Sequence, residues 1–162
     1  MSFDLALNTG INYGFTQPII TNVDIIFDSN GELVTISGQN KLIQDVNKIF
    51  ATNKDNYYPQ YGTQLDKLIG TNLGLEVTKN ALAAMLLDSL AYIQFLQKQQ
   101  TKYQQVDGSE LLENVTAVLV NYAPEVTPNP GDSQIQTVFN CLVNVQNASS
   151  KTINISTSLS LV

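Results

Sequence analysis

Thr152-Ile153-Asn154-Ile155-Ser156-Thr157-Ser158-Leu159-Ser160-Leu161 puts aliphatic or β-branched side chains at every odd position and hydroxyls or an amide at every even one. A period of two marks a strand with one buried face and one wet face. Ile153, Ile155, Thr157 and Leu159 share the face expected to be buried. No charge lies between Thr152 and Val162, so the Lys or Glu that commonly guards an exposed strand against pairing with another chain is missing. Two readings follow: an interior strand of the domain's own sheet, or an edge that supports pairing with a neighbour. On the second reading Ile153, Ile155, Thr157 and Leu159 are candidate interface residues.

Working back along the chain, Ile135 to Val145 and Val115 to Tyr122 are rich in Val, Thr and other strand formers, giving two more strands. Asn147 to Ser150 reads as a short hairpin turn, whereas Pro124, Pro128, Pro130 and Gly131 make the other connection a long loop. Val77, Ala81, Leu82, Met85, Leu86, Tyr92, Ile93 and Leu96 recur at helical spacing from about Leu75, and the pattern fades in the Gln-rich run 97–105 before Asp107-Gly108-Ser109. That is the longest helix, about seven turns. Leu42, Ile43, Val46, Ile49 and Phe50 define an earlier one, with Ser37 placed to cap it. Thr63 with Asp66 resembles a capping box opening a short third helix, and Gly70 is placed to end it. Val23 to Phe27 and Leu33 to Ile36 flank an Asn30-Gly31 turn signal and read as a β-hairpin. Residues 1–22 show neither period and read as an extended arm. The expectation is an α+β fold, three helices packed on an antiparallel sheet, with an arm over 1–22 and a single domain over 23–162.

The chain has 162 residues, a net charge of -6, no His, no Trp and one Cys, and its eight basic residues are all Lys. Without imidazole there is no Ser-His-Asp triad, Cys-His pair or common zinc site. An acidic chain without Arg is poorly suited to a phosphate backbone, so no nucleic-acid partner is expected. The N-terminus lacks a secretory signal and no apolar run reaches the length of a membrane span, so no membrane partner is expected and the chain reads as made in a reducing cytoplasm. Asn and Gln number 31 against 22 charged residues. A surface wetted by amides loses less on desolvation than a charged one and suits contact with neighbours, though host composition accounts for it as well. Asp24, Asp28 and Glu32 offer carboxylates for acid–base chemistry, but they flank a turn, where acidic residues are common. Cys141 alternates with polar neighbours and reads as a buried hydrophobe. No cofactor or metal is expected.

Tyr57-Tyr58-Pro59-Gln60-Tyr61-Gly62-Thr63 is the most unusual local run. Pro59 stiffens it, the rings supply rigid contact area, and Gly62 permits a turn. It either packs over its own core or forms a recognition surface at Tyr57, Tyr58, Pro59, Tyr61, Gly62 and Thr63. Taken in order, Gly38-Gln39-Asn40-Lys41-Leu42-Ile43-Gln44-Asp45, Ala51-Thr52-Asn53 and Tyr58-Pro59-Gln60-Tyr61-Gly62-Thr63-Gln64-Leu65 resemble the small baseplate wedge family of contractile-tailed phages, the so-called gene 25-like lysozyme family. The likeness spans Val23 to Gly70. Lys54, Asp55 and Asn56 stand where that family often has an Arg, and its Glu-Pro-Arg motif after the long helix is missing here. The resemblance implies a structural sheath initiator of the virion tail baseplate, assembled in the host cytoplasm in multiple copies around the tail axis. Its implied partners are baseplate wedge and hub proteins, the tail sheath protein and the tail tube. The alternatives are a peptidoglycan-cleaving lysozyme, as the family label suggests, or a small tail completion or neck protein.

Overall fold

The computed structural model describes residues 4–5, 30, 32–56, 58–68, 74–125 and 136–161. Its elements in chain order are β1 (Asp4–Leu5), β2 (Thr35–Ile36), α1 (Gly38–Ala51), a 3-10 turn (Leu65–Leu68), α2 (Leu75–Gln100), β3 (Leu112–Glu125), β4 (Gln136–Asn147) and β5 (Thr152–Leu161). The fold is α+β. β3, β4 and β5 form one antiparallel sheet in sequential order, so among the described residues β3 and β5 are its two edges.

Alternation decides which sheet face meets the helices. Val120, Cys141, Val143, Val145, Ile153 and Ile155 are buried in one cluster with Leu42, Val46, Ile49 and Phe50 of α1 and Leu82, Leu86, Leu90 and Ile93 of α2. Asn140, Leu142, Asn154, Ser156 and Ser158 lie on the opposite, exposed face. The β4–β5 turn owes its shape to Asn147, which is fully buried. Its carboxamide accepts from the Lys151 N–H at 2.9 Å and donates to the Ser109 carbonyl at 3.2 Å, while Ser150 sits at φ +60°. This is a three-residue loop closed by a left-handed residue.

Three expectations need correction. The third helix is only the four-residue 3-10 turn, because Leu65 and Leu68 are both buried and a spacing of three stacks side chains in that tighter geometry. Thr63 does not cap it: its hydroxyl lies 3.3 Å from the Phe50 carbonyl and 3.4 Å from that of Thr52. Ser37 occupies the N-cap position of α1 but makes no side-chain cap bond; the Gly38 N–H donates instead to the buried Glu110 carboxylate at 3.1 Å. Of the expected hairpin, the second strand is found in part as β2, which pairs antiparallel with β1, Leu5 opposite Thr35 and Asp4 opposite Ile36. The arm thus lends a strand to the domain. The expected hairpin strand 23–27, Gly31, the Gly70 stop and the Pro-rich loop 126–135 lie outside the described residues, as does most of the arm.

Two further details depart from the pattern reading. β3 runs on through Pro124, which an edge strand tolerates because its outer N–H groups need no partner. Gln97, in the run where the helical pattern fades, is buried. Its amide donates to the Glu110 carbonyl and accepts from the Leu112 N–H at 2.8 and 2.7 Å. That fork fixes where β3 leaves the end of α2.

Candidate functional site: an aromatic loop and a sheet edge

The loop after α1 is built on its own backbone. Thr63 donates its N–H to the Thr52 carbonyl at 2.8 Å and accepts from the Lys54 N–H at 2.7 Å, a parallel bridge between Asn53 and Thr63. Within it, the Asp55 carboxylate accepts from the Gln60 N–H at 2.7 Å, and the Asp55 N–H donates to the Tyr61 carbonyl at 3.1 Å. Gly62 is buried at φ +106°, and a Cβ there would stand 2.5 Å from the Thr52 oxygen. Only glycine fits that closure. α2 then holds the loop from below: the Ser89 hydroxyl reaches the Gly62 carbonyl at 3.2 Å and the Tyr92 hydroxyl donates to the Pro59 carbonyl at 2.9 Å.

This geometry divides the loop candidates. Tyr61 is half-buried against the core, and Gly62 and Thr63 are buried, so these three shape the loop. Tyr58, at 57% exposed, and Pro59 form its surface. Tyr57 lies outside the described residues. Beside the loop, Lys54, Gln60, Asp88, Tyr92 and Phe95 help to line a groove of about 440 Å³ against α2. Tyr92 and Phe95 stack with ring centroids 5.9 Å apart. Burial, with the neighbouring Tyr58 hydroxyl and Asp55 carboxylate, pushes the Tyr92 phenol above its ordinary value. The groove was not anticipated; its signal is Phe95, an aromatic off the core-facing stripe of α2 and half exposed.

The second element is the β5 edge. The Asn147 N–H donates to the Lys151 carbonyl at 3.0 Å, and this pair continues the register in which Thr152 opposes Gln146 and Ile153 opposes Val145. Antiparallel pairs alternate between bonded and non-bonded. Ile153, Ile155, Thr157 and Leu159 therefore exchange backbone bonds with β4, whereas Thr152, Asn154, Ser156, Ser158 and Ser160 direct their N–H and C=O groups away from it. Among the described residues, no strand pairs with that outer side. Ile153 and Ile155 are each 2% exposed and Thr157 is half-buried. The two isoleucines thus serve the chain's own core, and what the edge presents outward is the backbone of the even-numbered residues. The Ser158 hydroxyl already makes one cross-strand bond, to the Asn140 side chain at 2.9 Å.

Asp24 and Asp28 lie outside the described residues, and Glu32 is exposed. Cys141 is buried, and desolvation pushes its thiol up to about 11. Among the described residues, Asp88 is the one carboxylate lining the groove beside the loop. Among the described residues, no group of three or more acidic or thiol side chains is placed to hold a metal ion, and no helix is long and apolar enough to cross a membrane. The chain matches no family model, no curated protein and no solved structure.

Proposed function

We propose that this chain is a structural subunit of a contractile phage tail baseplate, a wedge protein and sheath initiator whose β5 edge receives a strand from the first ring of sheath protein. The observation that carries the reading is the contrast between the two edges of one sheet. β3 includes Glu113, Pro124 and Glu125 and two register irregularities, between Leu112 and Asn114 and between Val115 and Ala117. Those are the devices that keep an edge from pairing. β5 has none of them over ten residues, and its outward backbone groups sit beside small side chains. Strand addition there would supply main-chain hydrogen bonds without charge or cofactor. The exposed Tyr58–Pro59 tip and the likeness of the 58–65 run to the baseplate wedge family support the same assignment, with wedge and hub proteins as the neighbours of the loop.

The test uses the direction of one N–H. Ser156 points its N–H away from β4, so Ser156→Pro removes an outward donor and leaves the β4–β5 ladder intact; Thr157→Pro breaks that ladder and is the control for general damage. Ser156→Pro is expected to give soluble, folded chain and baseplates that do not grow sheath. Normal sheathed tails assembled from the Ser156→Pro chain would overturn the proposal. A peptidoglycan zymogram is expected to stay blank, and a clearing zone would favour the hydrolase reading instead.

A further inference from the structure

The same edge has a property that a heterologous partner does not require: β5 is chemically palindromic about Ser156. Read outward from it, Ile155 matches Thr157 as a β-branched pair, Asn154 matches Ser158 as a polar pair, Ile153 matches Leu159 as an aliphatic pair, and Thr152 matches Ser160 as a hydroxyl pair. We infer that two copies of this chain pair through β5, antiparallel across a two-fold axis at Ser156, to form one continuous six-stranded sheet. In that register Ser156 opposes Ser156 of the second copy, Asn154 opposes Ser158 and Thr152 opposes Ser160. All five residues whose backbone groups face outward then meet one another. Five bonded pairs exchange about ten main-chain hydrogen bonds, the number a standard interface carries.

The side chains agree with this register. Asn154 facing Ser158 of the second copy repeats the amide–hydroxyl pairing that Ser158 already makes with Asn140. Lys151, the nearest charge, falls opposite Leu161 of the second copy and not opposite itself, so no like charges meet. The two-fold also explains how an unguarded edge avoids open-ended aggregation: an isologous contact closes on itself, and the edges left outside the dimer are both β3, which is guarded. The pairing rests on the edge geometry and not on the baseplate reading. If both hold, the free chain keeps its joining edge covered by a second copy until a sheath strand replaces it.

The measurement is sedimentation of the full chain from micromolar to millimolar concentration, with register read by cysteine cross-linking. Wild-type chain is expected to reach twice its 17.8 kDa mass, and Ser156→Pro chain to remain at one. Across a bonded antiparallel pair the Cα atoms are about 5.5 Å apart, within disulfide reach, so Ser156→Cys chain should cross-link on catalysed oxidation. Asn154→Cys and Ser158→Cys chains should each fail alone, since like positions then lie about 13 Å apart, yet cross-link when mixed. Cys141 stays silent because it is buried. A monomer at all concentrations, or a dimer in which the mixed pair cross-links no better than either chain alone, overturns the inference. A monomeric wild type whose sheath growth is still blocked by Ser156→Pro would leave the proposed function standing. A correctly paired dimer with normal Ser156→Pro tails would remove the function and keep the pairing.

Discussion

At the scale of single residues, Gly62 is where the loop's path is least negotiable. Its φ of +106° is open to glycine, and the Cβ of any other residue would also meet the Thr52 and Asn53 backbones at 2.5 to 2.8 Å. Gly62→Ala is expected to lower stability by about 3 kcal/mol, the cost of the backbone conformation plus the displacement of Thr52. Urea unfolding checks this, and an Ala variant as stable as wild type would mean that the loop closes another way. Tyr92 makes a pH-dependent contribution from the same region. Its phenol is raised in the folded chain by burial and by Tyr58 and Asp55, and as a neutral donor it bonds Pro59. The sign follows from linkage. The stabilisation is complete below the ordinary value of 10.0 and is lost as pH rises through the folded value. Tyr92→Phe should therefore be less stable than wild type at pH 8 and lose less of its stability between pH 8 and strongly alkaline pH, as followed by urea midpoints.

At the scale of elements, legibility tracked whether the signal was local. β5 is found over the very residues that alternate, and α2 begins at Leu75 as its spacing predicts, because burial imposes a period that neighbouring positions share. The caps and the small sheet were not legible, since their partners are remote in sequence. Glu110 bonds Gly38 across 72 positions, and β2 pairs with residues 4–5, some thirty positions away. The candidate site was legible in the same proportion. The edge strand and the loop stood out as composition, whereas the groove between loop and α2 exists only once Ser89 and Tyr92 reach the loop carbonyls. Glu110 offers a test of how much the long-range cap matters. Glu110→Ala leaves the Gly38 N–H without that acceptor in a buried site and should cost about 1 to 3 kcal/mol, while Glu110→Gln keeps an acceptor and should cost less. Equal losses in the two variants, measured by thermal unfolding, would show that the carboxylate's charge and not the cap is what the site requires.

At the scale of the whole molecule, the main core joins α1, α2 and the three-stranded sheet, and the buried residues that form it begin at Leu42. Ile36 is also buried but stands outside that cluster, and its backbone pairs with Asp4 of β1. Phe3, Leu5, Leu7, Ile11 and Tyr13 are too many apolar residues for a segment that serves solvent alone, so the segment is expected to make contacts, and truncation tests where. Removing residues 1–14 takes away β1 and is expected to cost about 1 to 3 kcal/mol, the worth of a pair of backbone hydrogen bonds. The truncated chain should keep its helical circular dichroism and unfold in one cooperative step, yet enter particles poorly in competition with the full chain. A truncated chain that is unfolded in buffer would place the arm in the core, and one that is folded and incorporated as efficiently as the full chain would leave the arm without a role in assembly.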